Sequence, residues 1–307
     1  RLHSACRTPT AGCTRAARRW TRPIRFKRRK RGVPLFKPSW VAPGPGVEKD
    51  APPKKGPARY FEILLRDAGT LWKAGALFCL CCLPMAVCAA VLMLLGGHPA
   101  VFVAALAGYV LASVPAGPAM AGLHFVVLKT VRDEPGYVWH DFKTACRENR
   151  RQTRAPGMVL SFLLLIETLC ARLVLYGAVQ ASALLYAGVI LGLLLVFLVW
   201  HFFTMQVLFL TLPTRAALQN SVLLVFGHVW RSLPAGLLLA GAWAVMVLVL
   251  QPWFSLLLLC AGAPMLIVLW ADFLLWPVME KVFSITQHQR EQRQAEADTD
   301  ADGQSFP

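Results

Sequence analysis

Residues 182–212 read SALLYAGVILGLLLVFLVWHFFTMQVLFLTL, 31 positions in which His201 is the one side chain that titrates near neutral pH. Crossing the ~30 Å hydrocarbon layer of a bilayer takes about 20 residues of α-helix at 1.5 Å per residue. A run this long and this apolar exceeds what the core of a water-soluble domain needs. Five further runs match the same ruler: 74–96, 99–122 (the front of a 30-residue apolar stretch to 128), 157–179, 234–250 and 253–276. Lipid offers no partner for backbone N–H and C=O groups, so each run must be helical. The expected fold is all-α, an integral membrane bundle of about six transmembrane helices with one or two interfacial amphipathic helices.

Composition agrees. Of 307 residues, 56% are apolar and 16% charged, and the mean hydropathy is +0.52. A soluble domain carries about a quarter charged residues. The formal charge of +16 is concentrated at the front: residues 1–59 hold 17 Lys/Arg and two acids, while residues 60–307 are nearly balanced at +1. Soluble enzymes and secreted disulfide scaffolds are therefore excluded as classes. Six of the nine cysteines (79, 81, 82, 88, 170, 260) sit inside apolar runs, where a thiol is a small hydrophobe. Cys79, Cys81 and Cys82 have no His or carboxylate at ligand spacing, so core packing is their expected role and neither a metal nor a cofactor is expected.

Orientation follows from Lys and Arg in the connections. The turns at 97–98, 180–181 and 251–252 have none, whereas 129–156 has seven, 213–233 has Arg215 and Arg231, and the C-terminal stretch has Lys281, Arg290 and Arg293. Basic and uncharged connections alternate without exception. Six spans with both termini cytoplasmic satisfy that alternation; removing one span breaks it.

The chain divides accordingly. Residues 1–32 form a basic leader, open to four readings: a transit peptide, a nuclear-localisation patch, a polybasic anchor to anionic lipid, or a stretch that is not native. Residues 33–58, rich in Pro, Gly and Lys, read as a cytoplasmic linker. The transmembrane domain covers 59–285, opening with an amphipathic lead-in helix over 59–73. Residues 286–307 read as a disordered acidic tail.

Between the spans, Trp139, Phe142, Lys143, Arg147, Arg150 and Arg151 follow helical spacing in 138–152. The pattern predicts an interfacial helix with its aromatic edge in the headgroup region and its cations toward anionic lipid or a partner. Residues 218–229 form a second, less basic stripe. Pro115, Gly117, Pro118, Ala121 and Gly122 predict a kink and a close helix approach, followed by a short segment along the inner face. No phosphate loop, zinc spacing or nucleophile motif occurs, and no nucleic-acid partner is expected. Ionisable groups inside a bilayer cost at least about 2.5 kcal/mol on insertion scales, so Glu167, His201 and Asp272 are the candidates for an intramembrane polar path. Arg172, five residues beyond Glu167, does not share its face and is placed to snorkel.

The segments LCCLP (80–84), GPAMAGLHFVVLK (117–129), VRDEPGYVWHDF (131–142) and REN (147–149) resemble the YesL-like family of bacterial multi-pass membrane proteins, a domain of unknown function. The similarity covers about residues 33–285, and PGPGV (43–47) with DAPPKKG (50–56) looks like a native start near Val33. What the resemblance implies is a plasma-membrane protein, not itself an enzyme, that accompanies carbohydrate uptake and contacts a sugar-uptake transporter complex. It supplies no catalytic residues, and Asp272 stands where the family pattern suggests a neutral polar residue. The alternative is a small-solute transporter with a path through Glu167, His201 and Asp272.

Overall fold

The computed structural model describes residues 56–95, 97–175, 182–246 and 263–291, together with positions 254, 257, 258 and 294. The leader, the linker up to residue 55, the turns at 180–181 and 251–252, and the last residues of the acidic tail lie outside them. Among the described residues the elements are helices: α1 Pro57–Arg66, α2 Ala68–Leu95, α3 Pro99–Ala112, α4 Ala116–Val131, α5 Val138–Leu175, α6 Ala183–Phe209, α7 Thr214–Gly227, α8 Val229–Ala244 and α9 Ala263–Phe283.

Three of these, α2, α5 and α6, are each long and apolar enough to cross a membrane. Two bent pairs meet the same test together, α3 with α4 at 45° and α7 with α8 at 103°, so the described residues hold three to five candidate spans. Only 17% of the most apolar stretch of α2 is buried. Leu80 and Leu94 on α2, Leu111 on α3, Leu173 on α5 and Leu184 on α6 point outward. In water each such leucine would forgo roughly 1.5–3 kcal/mol of burial; in lipid that cost disappears. The outward apolar surface is the mark of a membrane protein.

α4 is the hub. It is apolar nearly all round, the pattern of a helix surrounded by protein, and fourteen of its sixteen residues are buried. The expectation of a segment along the inner face is thus corrected: the second half of the long apolar run is the centre of the bundle. Pro115 precedes α4 and Pro118 lies in its first turn, where a missing N–H costs nothing because those donors have no intrahelical acceptor. The prolines start a new helix instead of bending an old one. Gly117 then meets Gly157 of α5 backbone to backbone: a Cβ added at Gly157 would sit 2.5 Å from the Gly117 Cα, and one added at Gly117 would collide with the Thr153 carbonyl. Gly122 gives the same room to Cys146 and Phe142, and Ala121 is fully buried.

Helix α5 differs from expectation in a second way. Residues 138–152 do not form a separate interfacial helix; they are the first turns of one 38-residue helix that continues into the third apolar run. Their apolar edge is already occupied, because Phe142 and Ala145 are buried against the core around α4. Phe142 is therefore unavailable to lipid, whereas Trp139, Lys143, Arg147, Arg150 and Arg151 remain exposed. The second stripe is a distinct helix, α7, with Ala217, Ser221, Leu224 and Val225 buried and Val222, Leu223 and Phe226 exposed.

The turn between α4 and α5 is fastened by charge. Lys129 Nζ donates to Asp141 Oδ2 at 2.8 Å in a buried pair. Asp133, in the left-handed region at φ 55°, pairs with Arg66 at 2.7 Å and with Arg59, which docks α1. Tyr60 of α1 packs edge-on to Trp270 of α9 with ring centroids 4.5 Å apart. The lead-in helix is shorter than 59–73 because Asp67 ends α1 before α2 begins. Arg132 lies over the rings of Phe209 and Trp276 and donates to Gln289. That contact falls beyond the expected domain end: residues 285–291 are helical and Gln289 is buried, so the disordered tail does not begin at 286. The Glu280 carboxylate accepts from the Thr286 N–H and hydroxyl at 3.0–3.2 Å, which holds this last turn against α9.

Candidate functional site

Helices α4, α6 and α9 each deliver one ionisable side chain to a common point: His124, His201 and Asp272, all buried to 1% exposure or less. Each stands on a face that carries apolar residues one turn away, so packing of those faces carries the polar group inward. Ala121 and Leu128 flank His124, Leu198 and Met205 flank His201, and Leu269 and Leu275 flank Asp272.

His124 Nδ1 lies 2.8 Å from both carboxylate oxygens of Asp272, with hydrogen-bond geometry at Oδ2 only. Oδ1 is buried without a partner. The His201 ring stands edge-on to that of His124, centroids 4.7 Å apart and planes at 84°. His201 Nδ1 is 2.9 Å from the Phe197 carbonyl. A carbonyl oxygen only accepts, so Nδ1 carries the proton and Nε2 is left with its lone pair. Both Nε2 atoms, of His124 and of His201, are buried without a hydrogen-bond partner. One ligating atom from each of the three residues can be chosen so that all lie within 4.8 Å of one another. Among the described residues this is the one group of three such side chains able to hold a metal.

Glu167 is not part of it. Its carboxyl carbon would fall 2.6 Å from a Cβ added at Gly192, which places it beside α6 nine residues, about 13 Å of helix, from His201. It is also partly exposed. The path expected through Glu167, His201 and Asp272 therefore divides: His201 and Asp272 come together, Glu167 stays apart, and His124 stands with the other two. His124 was legible only as the one group of the second apolar run that titrates near neutral pH. Arg172 donates to Met93 Sδ at 3.3 Å on α2.

A cavity of about 240 Å³ opens beside this cluster, with His201 in its wall and Arg172 at another point of its lining. Met85, Met120, Phe197 and Val268 supply much of the remainder. Thr168, another lining residue, is engaged: its hydroxyl donates to the Leu164 carbonyl at 2.6 Å and accepts from Trp243 Nε1 at 3.0 Å. The cysteines of α2 pack in the core, Cys79 and Cys82 buried and Cys81 half-buried, all as free thiols. Compared with protein-family models, curated proteins and solved structures, the chain matches none.

Proposed function

We propose that this chain is a six-span protein of a bacterial plasma membrane, related to the YesL-like proteins, with both termini in the cytoplasm. It acts as an accessory component of carbohydrate uptake and is not itself the conduit or an enzyme. The observation that carries the accessory reading is the apolar character of the cavity. A sugar brings several hydroxyl groups, and each one buried without a partner costs about 1–3 kcal/mol. Walls built mainly of apolar side chains such as Met85, Phe197 and Val268, with Thr168 already engaged, offer few such partners beyond His201 and Arg172. The exposed cations of α5, Lys143, Arg147, Arg150 and Arg151, supply a basic surface for anionic headgroups or for an acidic face of a permease. The residues that carry the family resemblance include Lys129, Arg132, Asp133 and Asp141, whose ion pairs fix the base of that surface.

The test pairs two measurements on the full chain. Purified protein in proteoliposomes should accumulate no labelled sugar, and tagged protein drawn from native membranes should bring a permease with it. Replacing Lys143, Arg147, Arg150 and Arg151 with Gln should abolish that co-purification. Sugar accumulation by the chain alone would reverse the proposal. A second reading, transport of a small solute or proton, draws on His201 and Asp272 lying in one buried cluster with His124; it requires an imposed gradient to be dissipated by the wild type and not by Asp272→Asn.

A further inference from the structure

We infer that His124, His201 and Asp272 form a binding site for one divalent first-row transition-metal ion inside the bundle, which goes beyond the accessory role. Three independent features carry it. The donor set is two imidazoles and a carboxylate on three separate helices, a combination that suits zinc or ferrous iron and is poor for magnesium or calcium, which prefer oxygen. Both imidazoles keep a buried Nε2 without a hydrogen-bond partner, and Asp272 Oδ1, though 2.8 Å from His124 Nδ1, makes no hydrogen bond. Buried polar atoms are almost always bonded, so two orphaned ring nitrogens beside an under-satisfied carboxylate mark a missing common partner. Finally, the Phe197 carbonyl fixes the His201 tautomer with Nε2 as the lone-pair nitrogen, the supporting hydrogen bond that metal-ligating histidines use.

Distances agree with a modest closure. Ligands at 2.0–2.2 Å from an ion sit about 3.3 Å apart in a tetrahedron. One ligating atom from each residue lies within 4.8 Å of the others, so the three side chains stand close enough for χ rotations to bring a donor from each to one ion. Three protein ligands leave at least one coordination position open, and His201 also borders the apolar cavity. The ion's remaining position would accept water or an apolar molecule bearing one donor atom.

Full-length protein, purified in detergent and stripped with chelator, should be titrated with Co²⁺ and its visible d–d absorption followed. The expected result is one Co²⁺ per chain, displaced by Zn²⁺, with a higher Tm on Zn²⁺ addition. His201→Gln, His124→Gln and Asp272→Asn should each weaken binding about 100-fold or more, the upper end of what even supporting residues cost; Glu167→Gln should bind as the wild type does. Should any site variant fail to purify as a monodisperse species, X-ray absorption on zinc-loaded wild type decides, by showing two imidazole ligands. No stoichiometric uptake by wild type, unchanged affinity in all three site variants, or a zinc shell without imidazole would overturn the site.

Discussion

At the residue scale, the molecule separates glycines that are space from glycines that are merely small. Gly117 and Gly157 form a backbone contact between α4 and α5, and any Cβ there meets main-chain atoms that cannot swing away. Gly188 and Gly241 have nothing within reach of an added Cβ. Gly117→Ala should therefore destabilise by about 3 kcal/mol, the upper end for overpacking, while Gly188→Ala should be neutral or gain roughly 0.5–1 kcal/mol from reduced backbone freedom. Thermal unfolding in one detergent, read side by side, checks the pair. A second contrast lies at Lys129 and Asp141, whose side chains are nearly withdrawn from solvent. Lys129→Met should cost about 3–5 kcal/mol by stranding the Asp141 charge, and adding Asp141→Leu should recover most of it; a double-mutant cycle on unfolding reports the recovery. The same scale shows what sequence could and could not disclose. Small residues at 117, 121 and 122 announce close packing by their size alone. The meeting of His124, His201 and Asp272 depends on which face each helix turns inward, and pairs residues up to 148 positions apart. Sequence offers only that an ionisable group lies within an apolar run, which puts Glu167 on the same footing as His201 and Asp272; the fold sets Glu167 against Gly192 instead.

At the element scale, the decisive difference is α5. The basic stretch 138–152 and the apolar run after it were legible as two amphipathically distinct segments, and each has the expected character. Their continuity was not legible, since Pro156 and Gly157 between them suggest a break. Both are buried against the facing helix, and that packing holds the helix together across the proline. A straight rise of 1.5 Å per residue puts Arg147 and Leu173 about 39 Å apart. An interfacial helix turned into the membrane plane at residue 156 would bring them to about 29 Å. Spin labels at these two positions, both exposed, should return a dipolar distance near the longer value in liposomes. The α3–α4 break shows the converse: two prolines were readable as a disruption, but only the burial of α4 reveals that the chain dives into the bundle there. Hydropathy cannot register that difference, because a lipid-facing helix and a protein-surrounded one are equally apolar.

At the scale of the whole molecule, apolar length and charge distribution make separate demands, and the proposed six-span topology has to meet both. Three helices and two bent pairs among the described residues are apolar enough to cross. α9, with Asp272 buried and Glu280 and Lys281 near its end, is a further helix packed against them. The connections at residues 97–98, 180–181 and 251–252 carry no Lys or Arg, and those around residues 140, 220 and 285 do. Moving any one helix out of the count would put an arginine-bearing connection on the translocated side, against the bias that sets membrane orientation. The short turn at Gly97–His98 between α2 and α3 requires these neighbours to be antiparallel, and α2 and α3 do pack together around Leu92, Ala105 and Tyr109. Cysteine-accessibility labelling in intact cells is the direct measurement. Single cysteines at positions 97, 180 and 251, in a background with native cysteines replaced, should react with a membrane-impermeant maleimide, and cysteines at 143, 219 and 287 should react only after permeabilisation. The informative position is 219. It lies on α7, beyond the 103° bend from α8; labelling from outside would make α7 and α8 one crossing that ends on the opposite face, and would carry α9 to the wrong side for its basic end.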